Sequence, residues 1–291
     1  MKAYIFPGQA SQFEGMGKDL YEASAAARQI MDQANEILGF KLTEVMFEGS
    51  TEDLKATRIT QPAVFVHSIA TAMAADEFAP EAVAGHSLGE FSALVASKAL
   101  SFEDGLKLVQ KRAEAMQKAC KMQESTMAAI IGLEDKVIED ICASIDDLVI
   151  AANYNCPGQV VISGTVKGIE LAVGQLNEAG AKRAIILAVG GAFHSPLMQP
   201  AKEELAAAIN EINLNQPDCP IYQNVTASAE RDIDTIKKNL IEQLTAPVRW
   251  TQTMEQMIND GVTEFIEVGG TGKVLQGFVK KIDRRFPTTS L

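Results

Sequence analysis

Short apolar runs and amphipathic stretches take turns along the chain. Residues 3–6 (AYIF) form an apolar run that stops at the turn PGQ and predicts a strand. Residues 62–78 (PAVFVHSIATAMAADEF) carry apolar positions at helical spacing, with Pro62 placed in a first helical turn, where its missing N–H costs nothing. The run AVAG then feeds LGEFSALVASKAL, and SFEDGLKLVQKRAEAMQKAC follows as a helix with Ser101 and Asp104 as its cap signals. Alternation of this kind predicts an α/β protein with a parallel sheet. The middle of the chain changes character. TMAAIIG, LEDKVIEDICASI, LVIAANYN, QVVISG, VKGIELAVGQLNEAG and AKRAIILAV read in the order β-α-β-β-α-β, the split-βαβ or ferredoxin-like unit. We therefore expect residues 124–190 to form a small inserted subdomain, and 1–123 with 191–291 to form a larger, discontinuous α/β domain.

Composition narrows the class. At 291 residues, nearly half of them apolar, the chain can bury a substantial core. Its 38 acidic against 26 basic residues give a net charge of −12, which argues against nucleic acid or an acidic membrane as a partner of the whole surface. MKAYIFPGQ has no secretory apolar core, and no window approaches the ~18 apolar residues of a membrane span. The four cysteines are scattered without a CxxC pair, so neither a zinc site nor a disulfide framework is expected. Reduced thiols and the missing leader point to the cytoplasm.

The chemistry begins at GHSLGE (85–90). G-x-S-x-G between a strand and a helix is the nucleophile-elbow pattern, and with it the larger domain reads as α/β-hydrolase-like. Small flanking residues let the backbone turn tightly and expose the Ser87 oxygen. The helix after it supplies unpaired N–H groups and a positive dipole end for an oxyanion. Taken singly the motif is loose, and an ordinary Gly/Ser turn would look the same. A serine nucleophile needs a base, and the chain holds three histidines. His67 sits mid-helix, where packing is its ordinary role. His86 precedes Ser87 directly, which points its side chain away and suits a structural part in the elbow. His194, in VGGAFHSPLM, follows an apolar strand on a loop, where α/β proteins build their sites, and is the base by elimination. No acid after His194 is marked out as a third member.

Several further motifs then resemble one family. FPGQASQ (6–12), GHSLGE (85–90), Arg112 in LVQKRAEAMQ, NCPGQVVISG (155–164), AFHSPLM (192–198), PVRW (247–250) and EVGGTGKVL (267–275) occur in the order seen in malonyl-CoA:acyl carrier protein transacylases, nearly end to end. The resemblance implies ping-pong transfer of malonyl from CoA to the phosphopantetheine thiol of acyl carrier protein in fatty acid biosynthesis. It implies a malonyl ester on Ser87, His194 as base, and no bound cofactor. It puts the oxyanion-binding N–H groups on Gln9 and Leu88. It also orients the histidine by an amide carbonyl at Gln243, which fits the missing acid. Arg112 would bind the free malonyl carboxylate through its fork, although an arginine in KRAE would otherwise pass for a solvated charge. Gln61 would support Arg112, and Phe193, in a GAFH segment like the malonyl-selective HAFH signature, would narrow the space beside the α-carbon. Asn155 falls in a site-adjacent motif without an assigned role. Two positions depart from the family pattern: Ala10 stands where many relatives have glycine, and GGTGK replaces GPGK. The second lacks the spacing of a phosphate loop.

Carrier proteins of this kind present an acidic helix, so an acidic enzyme must concentrate positive charge locally. KVLQGFVKKIDRR (273–285) has five basic residues and one acid. A solvated terminal helix is the plain alternative to a steering role for Lys280, Lys281, Arg284 and Arg285. Two rival functions remain at this level. An esterase would use the same Ser87 and His194 but has no need of a buried cation at Arg112. A binding module with a decayed site would form no acyl-serine.

Overall fold

In the computed structural model, which describes residues 1–291, the first apolar run forms β1 (Lys2–Phe6). Helices α1 (Lys18–Ala23), α2 (Ala25–Leu38), α3 (Leu42–Glu48), α4 (Thr51–Lys55) and α5 (Thr57–Ala74) come next. Then follow β2 (Ala82–Gly85), α6 (Gly89–Ala96) and α7 (Phe102–Met122). The middle segment supplies β3 (Ser125–Ile131), α8 (Asp135–Ser144), β4 (Val149–Cys156), β5 (Gln159–Thr165), α9 (Val166–Glu178) and β6 (Arg183–Ile186). The chain closes with α10 (Gln199–Glu211), β7 (Ile221–Gln223), β8 (Ser228–Glu230), α11 (Ile233–Glu242), α12 (Trp250–Asn259), β9 (Glu264–Glu267), α13 (Val274–Ile282) and β10 (Thr288–Ser290).

Two sheets result. The larger runs β10-β9-β1-β2-β7-β8, parallel except for β8, which folds back antiparallel on β7. The smaller is antiparallel in the order β4-β5-β3-β6, the arrangement expected of a split-βαβ unit. Helices α8 and α9 cover one of its faces, burying Ile130, Ile138, Val160 and Ile169. From the opposite face Met127, Ala152 and Val161 join the main apolar core of the molecule. Val248, in the PVRW segment, bridges to β4: its N–H donates to Ala152 O at 2.8 Å and its carbonyl accepts from Tyr154 N–H at 2.9 Å.

One helix departs from expectation. Residues 62–78 read as a helix opening near Pro62, whereas α5 starts at Thr57 and ends at Ala74, with Pro62 in its interior. An interior proline removes one helix bond and crowds the carbonyl four residues back, a cost of about 3 kcal/mol. Packing outweighs it, because every residue from Ile59 to Ala72 is buried. No helix is long and apolar enough to cross a membrane.

Candidate active site

Strands β1 and β2 lie side by side in parallel with Phe6 level with Gly85. The turns after them therefore leave the sheet together, one carrying Gln9 and the other Ser87. Two glycines let these turns close. A Cβ on Gly85 would lie 1.9 Å from the Gly89 carbonyl carbon, and one on Gly89 would lie 2.1 Å from Phe6 O. Ser87 sits at φ 53°, a left-handed conformation that costs an L-residue roughly 1–2 kcal/mol. Asn224, directly after β7, holds it there. Its Oδ1 accepts from Ser87 N–H at 2.7 Å and its Nδ2 donates to Gly85 O at 2.7 Å. Leu88 opens α6, and neither its N–H nor that of Gln9 has an acceptor within the protein.

Ser87 Oγ donates to His194 Nε2 at 2.7 Å, and His194 Nδ1–H donates to the main-chain carbonyl of Gln243 at 2.9 Å. The second bond fixes the tautomer that leaves Nε2 free to accept. Burial, and after it the Arg112 cation, push His194 down to about 3, so the ring is neutral at neutral pH. Its loop is stitched to the small sheet: Ser163 Oγ donates to Phe193 O at 2.7 Å, and Ser125 Oγ accepts from Ala192 N–H at 3.1 Å. His194 too has a positive φ, 56°.

Arg112 projects from the middle of α7 and is 1% exposed. Its Nη1 donates to Gln61 Oε1 at 2.8 Å, and its Nη2 to Ser87 Oγ at 3.0 Å and Gln243 Oε1 at 3.1 Å. All three acceptors are uncharged, and its Nε has no partner. Burial lowers its pKa to about 10, which still leaves the guanidinium charged at neutral pH. A buried cation without a contacting anion is costly to maintain, and here it faces a cavity of about 290 Å³. The turns after β1 and β2 contribute Gln9 and Ser87 to that cavity, α7 contributes Arg112, and the small sheet contributes Met127, Asn153 and Val161. Phe193 also lines it and is buried.

The structure brings Gln9, Gln61, Ser87, Leu88, Arg112, Phe193, His194 and Gln243 together. None of the four terminal cations lines the cavity, and they do not form one helical face. Helix α13 ends at Ile282, so Arg284 and Arg285 fall beyond it. Lys280 is partly buried, with Nζ donating to Phe286 O at 2.5 Å, whereas Lys281 is exposed. His86 is structural, its Nε2 lying 2.8 Å from Asn155 Oδ1 and its ring packed near Trp250. His67 packs in α5 and accepts from Gly270 N–H at 3.1 Å. Sequence reading gave no role to Glu90 or Asn224. Glu90 stood inside a quoted motif, but Asn224 follows a short strand and looks like any turn asparagine.

A family model described as an acyl transferase domain matches residues 3–286. The chain belongs to the acyl transferase family. Among the acyltransferases it resembles, a malonyl CoA-acyl carrier protein transacylase of Bacillus subtilis is 47% identical, with 99% of this chain and 92% of that protein covered. The crystal structure of an acyl-carrier-protein S-malonyltransferase from Bartonella henselae superposes with a TM-score of 0.95 at 39% identity, covering 99% of this chain and 94% of the other. A malonyl-transacylase in complex with a type II PKS acyl carrier protein also gives a TM-score of 0.95, at 37% identity, covering 100% and 95%.

Proposed function

We propose that this acyltransferase moves malonyl from malonyl-CoA to the phosphopantetheine thiol of acyl carrier protein, through a malonyl ester on Ser87, in fatty acid synthesis. One observation carries the reading: Ser87 Oγ lies within one hydrogen bond of both a neutral histidine and a buried guanidinium. In the first half-reaction the malonyl carboxylate takes the fork of Arg112. Ser87 Oγ attacks the thioester carbonyl while His194 Nε2 accepts its proton, and the N–H groups of Gln9 and Leu88 receive the oxyanion. The C–S bond breaks, and the CoA thiolate leaves with the proton from His194. In the second half the carrier thiol gives its proton to His194 and attacks the ester. The Ser87 oxygen leaves and takes the proton back. The exchange balances with these groups and two thiols, so it calls for no bound cofactor. Gln61 holds Arg112 from behind, and Phe193 narrows the acyl pocket toward malonyl.

Residues 1–123 with 191–291 form the catalytic unit in this reading and 124–190 an inserted one, which is supported by the separate apolar core under α8 and α9. Four unpaired cysteines fit a reducing cytoplasm. Carrier docking falls to Lys281, Arg284 and Arg285, with Lys280 committed to Phe286 O. Intact mass after mixing with malonyl-CoA or acetyl-CoA, followed by holo carrier, tests the proposal. A malonyl adduct on Ser87 that is absent with acetyl-CoA and discharges onto the carrier is the expected result. Release of free malonate without carrier loading would make the protein a hydrolase, and no adduct at all would leave a binding protein.

A further inference from the structure

Glu90 is a buried carboxylate on the first turn of α6, 1% exposed, three residues after Ser87. The acyl-transfer steps make no use of it. Its Oε1 accepts from Asn224 N–H, and its Oε2 accepts from Gln243 Nε2 at 2.7 Å. The same Gln243 Nε2 donates to Ser87 O at 2.9 Å. With two acceptors on that side, the Gln243 amide has only one satisfied orientation, and it turns Oε1 toward Arg112 Nη2.

We propose that Glu90 is the positioning residue that aims the anion-binding guanidinium: its carboxylate orients the Gln243 side-chain amide, and that amide orients Arg112. Both Glu90 oxygens face donors. A neutral isostere would set an NH2 group against one of those donors, so the position demands an acceptor at each oxygen. Arg112 also feels Glu90 as an anion, since the carboxylate opposes the loss of its charge. Burial raises Glu90 above the usual carboxylate range, against the pull of Asn224 N–H, the Gln243 amide and Arg112. The hydrogen bonds hold it ionised, because each oxygen accepts from an N–H and neither faces an acceptor for a carboxyl proton. The other ionisable neighbours of the site, His86 and His194, are both held toward the neutral form by burial. Arg112 is thus the cation that matches this carboxylate, with the amide of Gln243 between them. The idea rests on Arg112 being the malonyl site.

Two readouts on Glu90→Gln separate aiming from mere support of the elbow. One is the malonyl-CoA concentration dependence of Ser87 loading. The other is sulfonylation of Ser87 by phenylmethylsulfonyl fluoride, a neutral reagent that needs Ser87 and His194 but no guanidinium. Glu90→Gln should raise the KM for malonyl-CoA by about tenfold to a hundredfold, the scale of a lost hydrogen bond to a charged group. Sulfonylation should slow by a much smaller factor. In an Arg112→Ala background the same change should add little to the malonyl defect, because both act through one group. Parallel losses of loading and sulfonylation, unchanged loading, or full additivity with Arg112→Ala would each overturn the proposal. Wild-type protein that shows no malonyl adduct would instead sink the malonyl reading itself. Should Glu90→Gln not fold, Glu90→Asp keeps the charge but is too short to span both donors. A smaller loss confined to malonyl is then expected, and equal loss of both readouts overturns the proposal.

Discussion

Ala10 follows Gln9 in the turn after β1 at φ 77°, the left-handed region that favours glycine. Its methyl group is a local cost. A left-handed L-residue loses roughly 1–2 kcal/mol, whereas glycine returns only about 0.4–1 kcal/mol to the unfolded chain. Ala10→Gly should therefore stabilise the protein by about 0.5–1 kcal/mol, read as a higher urea midpoint at unchanged slope. Arg112 presents the opposite balance, since its burial is costly and its partners are neutral. Arg112→Ala should reduce malonyl loading by about two orders of magnitude, as truncating one partner of a buried charged contact does. The ratio of malonyl to acetyl loading on Ser87, measured by mass, should fall with it. A ratio that stays put would favour a hydrolase of neutral esters.

Among the elements, α13 does two jobs. Its N-terminus is anchored by Glu267, the last residue of β9, whose Oε2 accepts from Gln276 N–H at 2.9 Å. That anchor brings Val274, Leu275 and Phe278 to the rim of the cavity. One residue past its last buried position, Val279, the helix spends Lys280 on the Phe286 carbonyl and leaves Lys281 in solvent. Lys281 is close enough to Cys156, at the end of β4, to act on its thiol. Lys281→Glu should raise the KM for holo carrier protein several-fold, more at low salt than at high, and leave the rate of malonyl loading from CoA unchanged. Equal effects on both half-reactions would remove α13 from the docking surface. The run of basic residues was visible in the sequence. Which lysine is free depends on where the helix stops.

At the scale of the whole molecule the two sheets meet across the cavity, and loops from distant parts of the chain are pinned by neutral buried groups. His67 is one of these pins. Burial lowers it to about 4, and its ring accepts from Gly270 N–H. A histidine whose folded pKa lies below its unfolded value supports the fold fully above about pH 6.5, and that support is lost as pH falls toward the folded value. His67 alone should cost about 3 kcal/mol of stability between pH 7 and 4. Wild-type unfolding free energy should therefore fall more steeply over that range than that of His67→Gln, measured by urea titration at each pH. Matching slopes would place the pin elsewhere. The sequence by itself determined what local pattern can encode. Alternating strands and helices, the split-βαβ order, the glycines around Ser87 and the cap at Ser101 all follow from side-chain periodicity and backbone sterics within a few residues. His194 as base came by counting histidines. Tertiary structure alone decided the rest. That the amide carbonyl on His194 is the main chain of Gln243, that Asn224 braces the elbow, and that Glu90 and Arg112 share one glutamine are contacts between residues up to 153 positions apart. No local preference specifies such contacts, because each exists only once parallel β1, β2 and β7 place their ends at one edge and the small sheet closes over them.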